Sequence, residues 1–276
     1  MPALPSLVPP HVEGQESQGV VLRTVSSIGR GQAPRYELVH TGSVQNQERK
    51  RLLASVPLFV SLDDRALDAL VAATTTRRLA PREALFHKGD PGEQLYVVIS
   101  GRLKAKAEAA DGKEVIFSLM GPPEVIGEIA LLDSEPRSAT VEAIETSELL
   151  ALHRRDFLPV LERYPKVATR LAGILARRLR RLSDLTEDSA FLTLPSRLAK
   201  KLLSLADSDG VATPEGTRIR LRLPQSELGE LVGTSRESVN KLLRAWVQQG
   251  IVGVDRGFIT LRRRRSLEAL AELWTV

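Results

Sequence analysis

Residues 224–243, with the sequence PQSELGELVGTSRESVNKLL, hold the most specific local pattern of this 276-residue chain. Three apolar residues have the spacing of a short amphipathic helix: Leu228, Leu231 and Val232. Gly233 follows them where a tight turn needs a positive φ, and Ser235 is a suitable N-cap for a second helix. The pattern therefore predicts a helix-turn-helix.

The second predicted helix has a polar face near its N-terminus, formed by Arg236, Glu237, Asn240 and Lys241. Arginine matches the two major-groove acceptors of guanine, and glutamate matches the amino group of cytosine, so this face predicts DNA recognition. Residues 250–261 then have the pattern of a short hairpin, which would form a wing. The alternative, two packing helices with solvated charges, is weakened by that hairpin. The arginines at 262–265 would either contact phosphates or be solvated.

Positive charge is concentrated in the C-terminal third of the chain. Residues 190–276 hold 14 Lys and Arg against 9 Asp and Glu, whereas the rest of the chain holds 25 of each sign. The net charge of +5 therefore belongs to this part. Such a surplus fits a phosphate-binding surface and also fits a plain solvated face.

A β-rich stretch is predicted over residues 77–152. Apolar runs such as 94–99 and 114–119 are separated by turn signals at short spacing. One of these signals, Asp111-Gly112, predicts a two-residue hairpin. Many short strands with such turns indicate a closed or double-sheet β architecture.

A long helix is predicted over residues 166–188, with leucines at four- and three-residue steps: Leu171, Leu175, Leu179 and Leu182. One apolar seam of this length fits a parallel partner helix, and so predicts a homodimer. The alternative is a helix that packs on its own domain. Residues 1–47, in contrast, contain Pro-rich segments without an apolar period, and we predict a flexible extension there.

Several classes of protein are disfavoured by composition. The chain has no cysteine and only four scattered histidines, so no metal site is expected. No apolar run approaches the roughly 18 residues of a membrane span, and no secretory signal is visible, which predicts a cytoplasmic protein without a membrane partner. No catalytic set or phosphate loop predicts an enzyme, and 4% aromatic residues disfavour an RNA-binding protein.

Residues 126–141 hold a second group of candidates. Gly127 would let backbone approach a ligand, and Glu128 could accept a hydrogen bond from a ribose hydroxyl. Arg137, with the hydroxyl of Ser138 beside it, could bind an anion. Taken alone, these residues favour the alternative of a surface loop with an ion pair between Glu128 and Arg137.

From about Arg51 to Leu270, the chain resembles the family of the bacterial cyclic-AMP receptor protein, also called Crp–Fnr. Residues 235–239, Ser-Arg-Glu-Ser-Val, are similar to the Ser-Arg-Glu-Thr-Val of the family's recognition helix, which a basic residue follows as Lys241 does here. The Gly-Glu pair at 127–128 and the Arg-Ser pair at 137–138 look like its phosphate-binding cassette.

The resemblance implies that Arg236, Glu237 and Lys241 contact a TGTGA-like half-site. Gln225 stands where the family has a phosphate-contacting arginine, and Lys241 replaces an arginine whose planar fork is lost. The full predicted DNA-binding set is Gln225, Ser226, Ser235, Arg236, Glu237, Ser238, Asn240 and Lys241.

The resemblance also implies that Glu128 holds the ribose 2′-hydroxyl of a cyclic nucleotide and that Arg137 and Ser138 hold its phosphate. Leu182 stands with Ser183 where the family has a Thr-Ser pair at the adenine. The predicted ligand-binding set is Gly127, Glu128, Ile129, Arg137, Ser138, Arg178, Leu182 and Ser183. Because leucine cannot bond the adenine amino group, an effector-independent regulator is the alternative, and a regulatory subunit with a cyclic-nucleotide domain is a third possibility.

These inferences combine into an α+β fold. We expect a flexible extension (1–47), a cyclic-nucleotide-binding-like β-roll or double-sheet jelly-roll (48–165), a dimerisation helix (166–189) and a winged helix-turn-helix (190–276). The expected effector is cyclic AMP, with no covalently bound cofactor. The expected partners are double-stranded DNA, a second copy of the chain and RNA polymerase.

Overall fold

The computed structural model describes residues 20–26, 35–109 and 111–272, with side chains from residue 46 onward. Its first elements are β1 (Val20–Ser26) and β2 (Arg35–His40), which pair antiparallel, and then α1 (Thr41–Ser55). This hairpin and the first turns of α1 fall inside the predicted flexible extension, whose irregular apolar pattern did not indicate them. The remainder of that predicted extension lies outside the described residues.

The N-terminal domain, from α1 to α4, is built on two four-stranded antiparallel sheets. Helix α2 (Asp64–Ala73), capped by the carboxylate of Asp63, leads into them. The strands are β3 (Thr74–Leu79), β4 (Ala84–Phe86), β5 (Gln94–Ser100), β6 (Leu103–Glu108), β7 (Glu114–Met120), β8 (Val125–Ile126), β9 (Thr140–Ala143) and β10 (Ser147–His153). The sheet orders are β3-β10-β5-β8 and β4-β9-β6-β7, which confirms the double-sheet prediction.

The loop between β6 and β7 is longer than the predicted two-residue hairpin. The Ala109 N–H donates to the Lys113 carbonyl at 2.8 Å, and the Gly112 N–H donates to the Ala109 carbonyl at 2.9 Å. Gly112 has a φ of +80°, as expected for a three-residue loop that closes with one left-handed residue. The Asp-Gly pair thus marked the turn correctly but not its length.

One helix, α3 (Glu128–Asp133), is inserted between β8 and β9. Two helices follow the last strand: α4 (Arg154–Arg163) and α5 (Pro165–Phe191). Helix α5 confirms the predicted long helix, and its leucine seam has two parts. Leu171 is buried in the N-terminal domain, whereas Leu179 and Leu182 are 66% and 45% exposed. The first part of the seam therefore packs on its own domain, and the second part is open for a partner.

The C-terminal domain, from α6 to α9, begins after only two linking residues, Leu192 and Thr193. Its elements are α6 (Leu194–Asp209), β11 (Gly210–Thr213), β12 (Gly216–Ile219), α7 (Gln225–Val232), α8 (Arg236–Gln248), β13 (Val252–Asp255), β14 (Phe258–Leu261) and α9 (Arg264–Ala271). The strand order is β11-β12-β14-β13, so the predicted wing is the β13-β14 hairpin of this sheet. Among the described residues, no helix is both long and apolar enough to cross a membrane.

Two details of the C-terminal domain differ from expectation. Residues 218–223 alternate basic and apolar side chains, which predicts a half-buried strand, but β12 ends at Ile219. The Arg220 N–H then bonds to the Asp209 carbonyl, and the Leu223 N–H bonds to the Gly257 carbonyl of the wing. Residues 264–271 form a helix that the sequence reasoning missed.

Candidate nucleotide site and DNA-binding surface

Gly127 connects β8 to α3 with a left-handed backbone, at a φ of +85°. A Cβ atom there would lie 2.4 Å from Nη1 of Arg137 and 3.0 Å from the Gln94 carbonyl oxygen. A side chain would therefore displace the guanidinium as well as strain the backbone. Glycine is needed at this position to let Arg137 pass beneath the start of α3.

Arg137 is a buried residue, only 5% exposed. Its Nη1 donates to the Gly127 carbonyl at 2.9 Å, its Nη2 donates to the Gln94 carbonyl at 2.7 Å, and its guanidinium lies 4.2 Å from the ring centroid of Phe86. Burial lowers the pKa of Arg137, and neighbouring groups including Tyr96 and Glu128 oppose that shift. Nothing near Arg137 in the sequence indicates this buried position, and the structure adds a core role to the predicted ligand contact, because the side chain joins three segments of the domain.

Glu128 is 1% exposed and forms an ion pair with Arg178 of α5. Arg178 also donates to the Val125 carbonyl, so it connects α5 to the segment that carries the cassette. The ion pair between Glu128 and Arg137, which the surface-loop alternative required, is replaced by this one. A buried ion pair between two helices couples their positions, because separating them would leave a buried charge without a partner.

Two buried polar atoms at this site have no hydrogen-bond partner, namely Oε2 of Glu128 and Nε of Arg137. The first is an acceptor and the second a donor. A ribose hydroxyl can donate to a carboxylate, and a phosphate oxygen can accept from a guanidinium. The two orphaned atoms therefore fit the ligand chemistry that the sequence predicted, since native buried polar groups are rarely left unpaired.

The other predicted ligand-binding residues lie at the surface of the single chain. Ile129 is 40% exposed, and Ser138 is exposed too. Leu182 and Ser183 lie about one turn beyond Arg178 on α5, and the Ser183 hydroxyl donates to the Leu179 carbonyl of its own helix at 3.1 Å. The structure thus joins Gly127, Glu128, Arg137 and Arg178 directly, and leaves the other four predicted residues on exposed surface.

Sequence reasoning missed several residues that shape this site. Phe86 and Tyr96 flank the Arg137 guanidinium, and the Gln94 backbone accepts from it. A Cβ on Gly92 would lie 2.3 Å from the Cβ of Ala130, so a glycine is needed for α3 to pack there. The turn sequence Gly-Asp-Pro-Gly at residues 89–92 could have indicated Gly92. The Gln94 carbonyl could not have been found in this way, because every residue has a backbone carbonyl.

The helix-turn-helix forms as predicted. Gly233 ends α7 with a φ of +67°, and the Ser235 hydroxyl caps α8 by accepting from the Ser238 N–H at 3.3 Å. Gly229 is a further requirement that the sequence reasoning missed, because a Cβ there would lie 2.6 Å from the Thr234 carbonyl oxygen. These local contacts fix the angle between α7 and α8.

None of the eight predicted DNA-binding residues is buried. Arg236, Glu237 and Lys241 are exposed, as are Ser226 and Ser235, while Gln225, Ser238 and Asn240 are half-buried. The pKa of Glu237 lies below its ordinary value, because its own backbone N–H and the Ser235 hydroxyl bond to the carboxylate. A groove of about 350 Å³ along α8 is lined by Glu237, Asn240, Lys241, Arg244, Ala245 and Gln248. The helical spacing from Lys241 could have indicated Arg244.

A second cavity of about 420 Å³ is lined by residues of both helices of the motif and of the wing. Gln225, Ser226 and Arg236 line it together with Val254 and Gly257. In the run 262–265, Arg262 pairs with Glu215 at 2.6 Å and Arg264 pairs with Asp207 at 2.7 Å. Arg262 and Arg264 already have acidic partners, so they are weaker candidates for phosphate contacts than the run of four arginines in the sequence indicates.

The fold and the two sites define a transcription regulator in which a cyclic-nucleotide-binding domain precedes a winged helix-turn-helix. The family model for the cyclic nucleotide-binding domain matches residues 76–164 of the sequence. The family model for the Crp-like helix-turn-helix domain matches residues 196–270. The chain belongs to the family of CRP-like transcription regulators, a family of regulators and not of enzymes, as predicted.

The chain is similar to the cyclic AMP receptor protein of Thermus thermophilus, with 38% identity over 78% of this chain and 96% of the relative. It is 32% identical to the CRP-like cAMP-activated global transcriptional regulator of Mycobacterium tuberculosis, over 74% of this chain and 91% of the relative. Among solved structures, the c-di-GMP responsive global regulator CLP of Xanthomonas campestris matches with a TM-score of 0.65 and 26% identity, over 72% of this chain and 99% of the other.

Proposed function

We propose that this protein is a homodimeric, sequence-specific DNA-binding regulator whose DNA affinity is controlled by cyclic AMP. The observation that carries the ligand assignment is the pair of orphaned buried atoms, Oε2 of Glu128 and Nε of Arg137. Relatives named as cyclic AMP receptor or cAMP-activated regulators support the choice of nucleotide. A DNA-binding role would place the protein in the bacterial cytoplasm.

The proposed control is a population shift. A nucleotide bound beside Glu128 would contact the carboxylate that also pairs with Arg178, and so would bias the position of α5. Leu179 and Leu182, exposed on the later part of α5, would form the interface with a second copy. The ligand would therefore favour the dimer arrangement in which both copies of α8 match two half-sites.

Calorimetry on the full chain tests the effector. We expect saturable binding of cyclic AMP, weakened or lost in the Ser138→Ala variant, because Ser138 is exposed and its removal should not disturb the core. Cyclic GMP and cyclic di-GMP are the comparison ligands, the latter because one structural relative is named as responding to it. Absence of heat with all three, together with DNA affinity unchanged by nucleotide, would refute nucleotide control.

The effector-independent regulator is the second candidate, and Leu182 is the residue that favours it. Leucine offers no hydrogen bond to an adenine amino group, whereas threonine in the Leu182→Thr variant would. Tighter cyclic AMP binding by that variant would identify Leu182 as the cause of weak adenine recognition. Contact with RNA polymerase stays a prediction, which co-sedimentation of polymerase with the DNA-bound protein would test.

A further inference from the structure

A buried charge cluster joins the N-terminal domain to the first helix of the helix-turn-helix. Lys104 of β6 has a side chain only 6% exposed, and its Nζ lies 3.4 Å from Glu142 of β9, 3.7 Å from Glu227 and 3.5 Å from Glu230. The last two residues belong to α7. Lysine is seldom buried unless it is paired, and here two of its three partners come from the other domain.

Further contacts between the domains surround this cluster. Arg102 pairs with Asp209, the last residue of α6, whose side chain is 6% exposed. Ile116 of β7 is 1% exposed and is buried in the apolar core of the C-terminal domain, with Leu119 and Ile144 packed against the same core. The interface therefore combines apolar packing with three ion pairs between the domains, as a specific interface does.

The interface leaves the DNA-binding face of α8 open, since Arg236, Glu237 and Lys241 remain exposed. The interface between the domains therefore does not block DNA binding by covering that face of α8. The only covalent connection between α5 and α6 is the pair Leu192 and Thr193. The backbone dihedrals of these two residues still permit more than one orientation of the C-terminal domain, and the contacts around the link select one.

We propose that Lys104 and Arg102 form an orientation clamp, which holds the helix-turn-helix at one angle to α5 through Glu227, Glu230 and Asp209. Each N-terminal domain thereby fixes the direction of its own recognition helix. In a dimer, the two clamps together set the distance between half-sites that the protein accepts. This consequence rests on the dimeric DNA binding proposed above, whereas the clamp itself does not.

A charge exchange tests the clamp directly. Lys104→Glu would bring four carboxylates together and should release the domain. Glu230→Lys would replace one of the three carboxylates around Lys104 by a second ammonium group and should weaken the docking less, because the other two carboxylates remain. The combination of both restores opposite charges with the same net charge. Because the chain has no cysteine, spin labels at Glu162→Cys on α4 and Ala269→Cys on α9 report one inter-domain distance without background.

We expect a narrow distance distribution in the parent, a broad one in Lys104→Glu, a less broad one in Glu230→Lys and a narrow one again in the combination. Circular dichroism checks that every variant is folded. A distribution that stays narrow in both folded single variants, or that stays broad in the combination, would overturn the clamp. If a single variant does not fold, Asp209→Asn takes its place, with Asp207→Asn on the same helix as its matched control, because Asp207 pairs with Arg264 inside the C-terminal domain.

Acidification provides a second readout. Burial raises the pKa of Glu227 above its ordinary value of 4.5, repulsion from Glu230 and Glu142 adds to this, and the charge of Lys104 only partly opposes it. A raised pKa means that the docked form gains stability as the pH falls toward 4.5 and loses it as the pH rises through the raised value.

Glu142 does not titrate in that window. Burial would raise the pKa of Glu142, but Lys106, 2.7 Å away, and the charge of Lys104 hold it below 4.5, so its contribution is lost only in stronger acid. We expect the distance distribution to narrow further as the pH falls from neutral toward 4.5, and the Glu227→Gln variant to lose this response. A response that persists in that variant would overturn the role of Glu227 in the clamp.

Binding to DNA duplexes with different half-site distances tests whether the two clamps of a dimer set the distance that the protein accepts. Half-sites about one helical turn apart should be preferred over half-sites displaced by about half a turn, and folded Lys104→Glu should lose at least about threefold of that preference. A preference that the variant retains in full would refute the role in spacing. If the parent shows no preference at all, the dimeric DNA-binding proposal fails, and the label distances still decide the clamp.

Discussion

Replacing Arg137 by methionine tests the structural role of the cassette arginine. The change removes donors from two backbone carbonyls, those of Gly127 and Gln94, and removes the cation stacked on Phe86. Methionine keeps much of the apolar length of the side chain, so the cavity left behind is small. The dominant cost is therefore two carbonyls that lose their buried donors.

Each buried carbonyl left unpaired costs about 1–3 kcal/mol, and loss of the cation–π contact costs about 1 kcal/mol. Removal of the unpaired Nε and of a buried charge returns part of this. We expect the free energy of unfolding to fall by about 2–3 kcal/mol, as measured by urea denaturation followed by circular dichroism.

Arg155→Met is the matched control, because the Arg155 side chain is 81% exposed and lies 3.6 Å from its ion-pair partner, Asp156. Its effect should stay within about 0.5 kcal/mol. A loss below about 1 kcal/mol for Arg137→Met would contradict the core role derived from the structure. Loss of nucleotide binding in Arg137 variants has to be compared with this loss of stability before it is assigned to a missing phosphate contact.

Three further changes test the DNA-binding and dimer surfaces. Arg236→Ala should cost about 1–3 kcal/mol at one base pair per half-site in gel-shift titrations, and equal losses on specific and random duplexes would argue against base recognition. Gly229→Ala should destabilise the protein to thermal unfolding more than Gly233→Ala, because a Cβ at Gly229 clashes with the Thr234 carbonyl, whereas one at Gly233 meets no atom within 4 Å and costs only the about 1–2 kcal/mol of a left-handed alanine; the reverse order would contradict this packing. Joint replacement of Leu179 and Leu182 by Asp should give a monomer in light scattering, and an intact dimer would place the interface elsewhere.

The sequence was sufficient for features that depend on neighbours in the chain. The turn at Gly233 and the cap at Ser235 need only residues a few positions away, and both form as predicted. The resemblance placed Arg178 near Glu128, although 50 positions separate them, and the structure pairs the two side chains.

Features that depend on contacts between distant segments could not be predicted in this way. Arg137 reaches a backbone carbonyl 43 positions away, and any residue could supply that carbonyl. No neighbour of Lys104 in the sequence indicates that it is buried, since its partners on α7 are more than 120 positions away. Periodicity identifies which face of a strand is polar but not which domain covers it.

Helix α5 has the geometry of a lever. Arg178 attaches it to the cassette, and the helix continues for 13 residues to Phe191, which at 1.5 Å per residue is an arm of about 20 Å. A tilt of only about 5° at the attachment would displace the far end by about 1.7 Å, which exceeds the tolerance of a hydrogen bond to a base edge. A rigid arm of this length would convert a small displacement at Glu128 into a change large enough for DNA to distinguish.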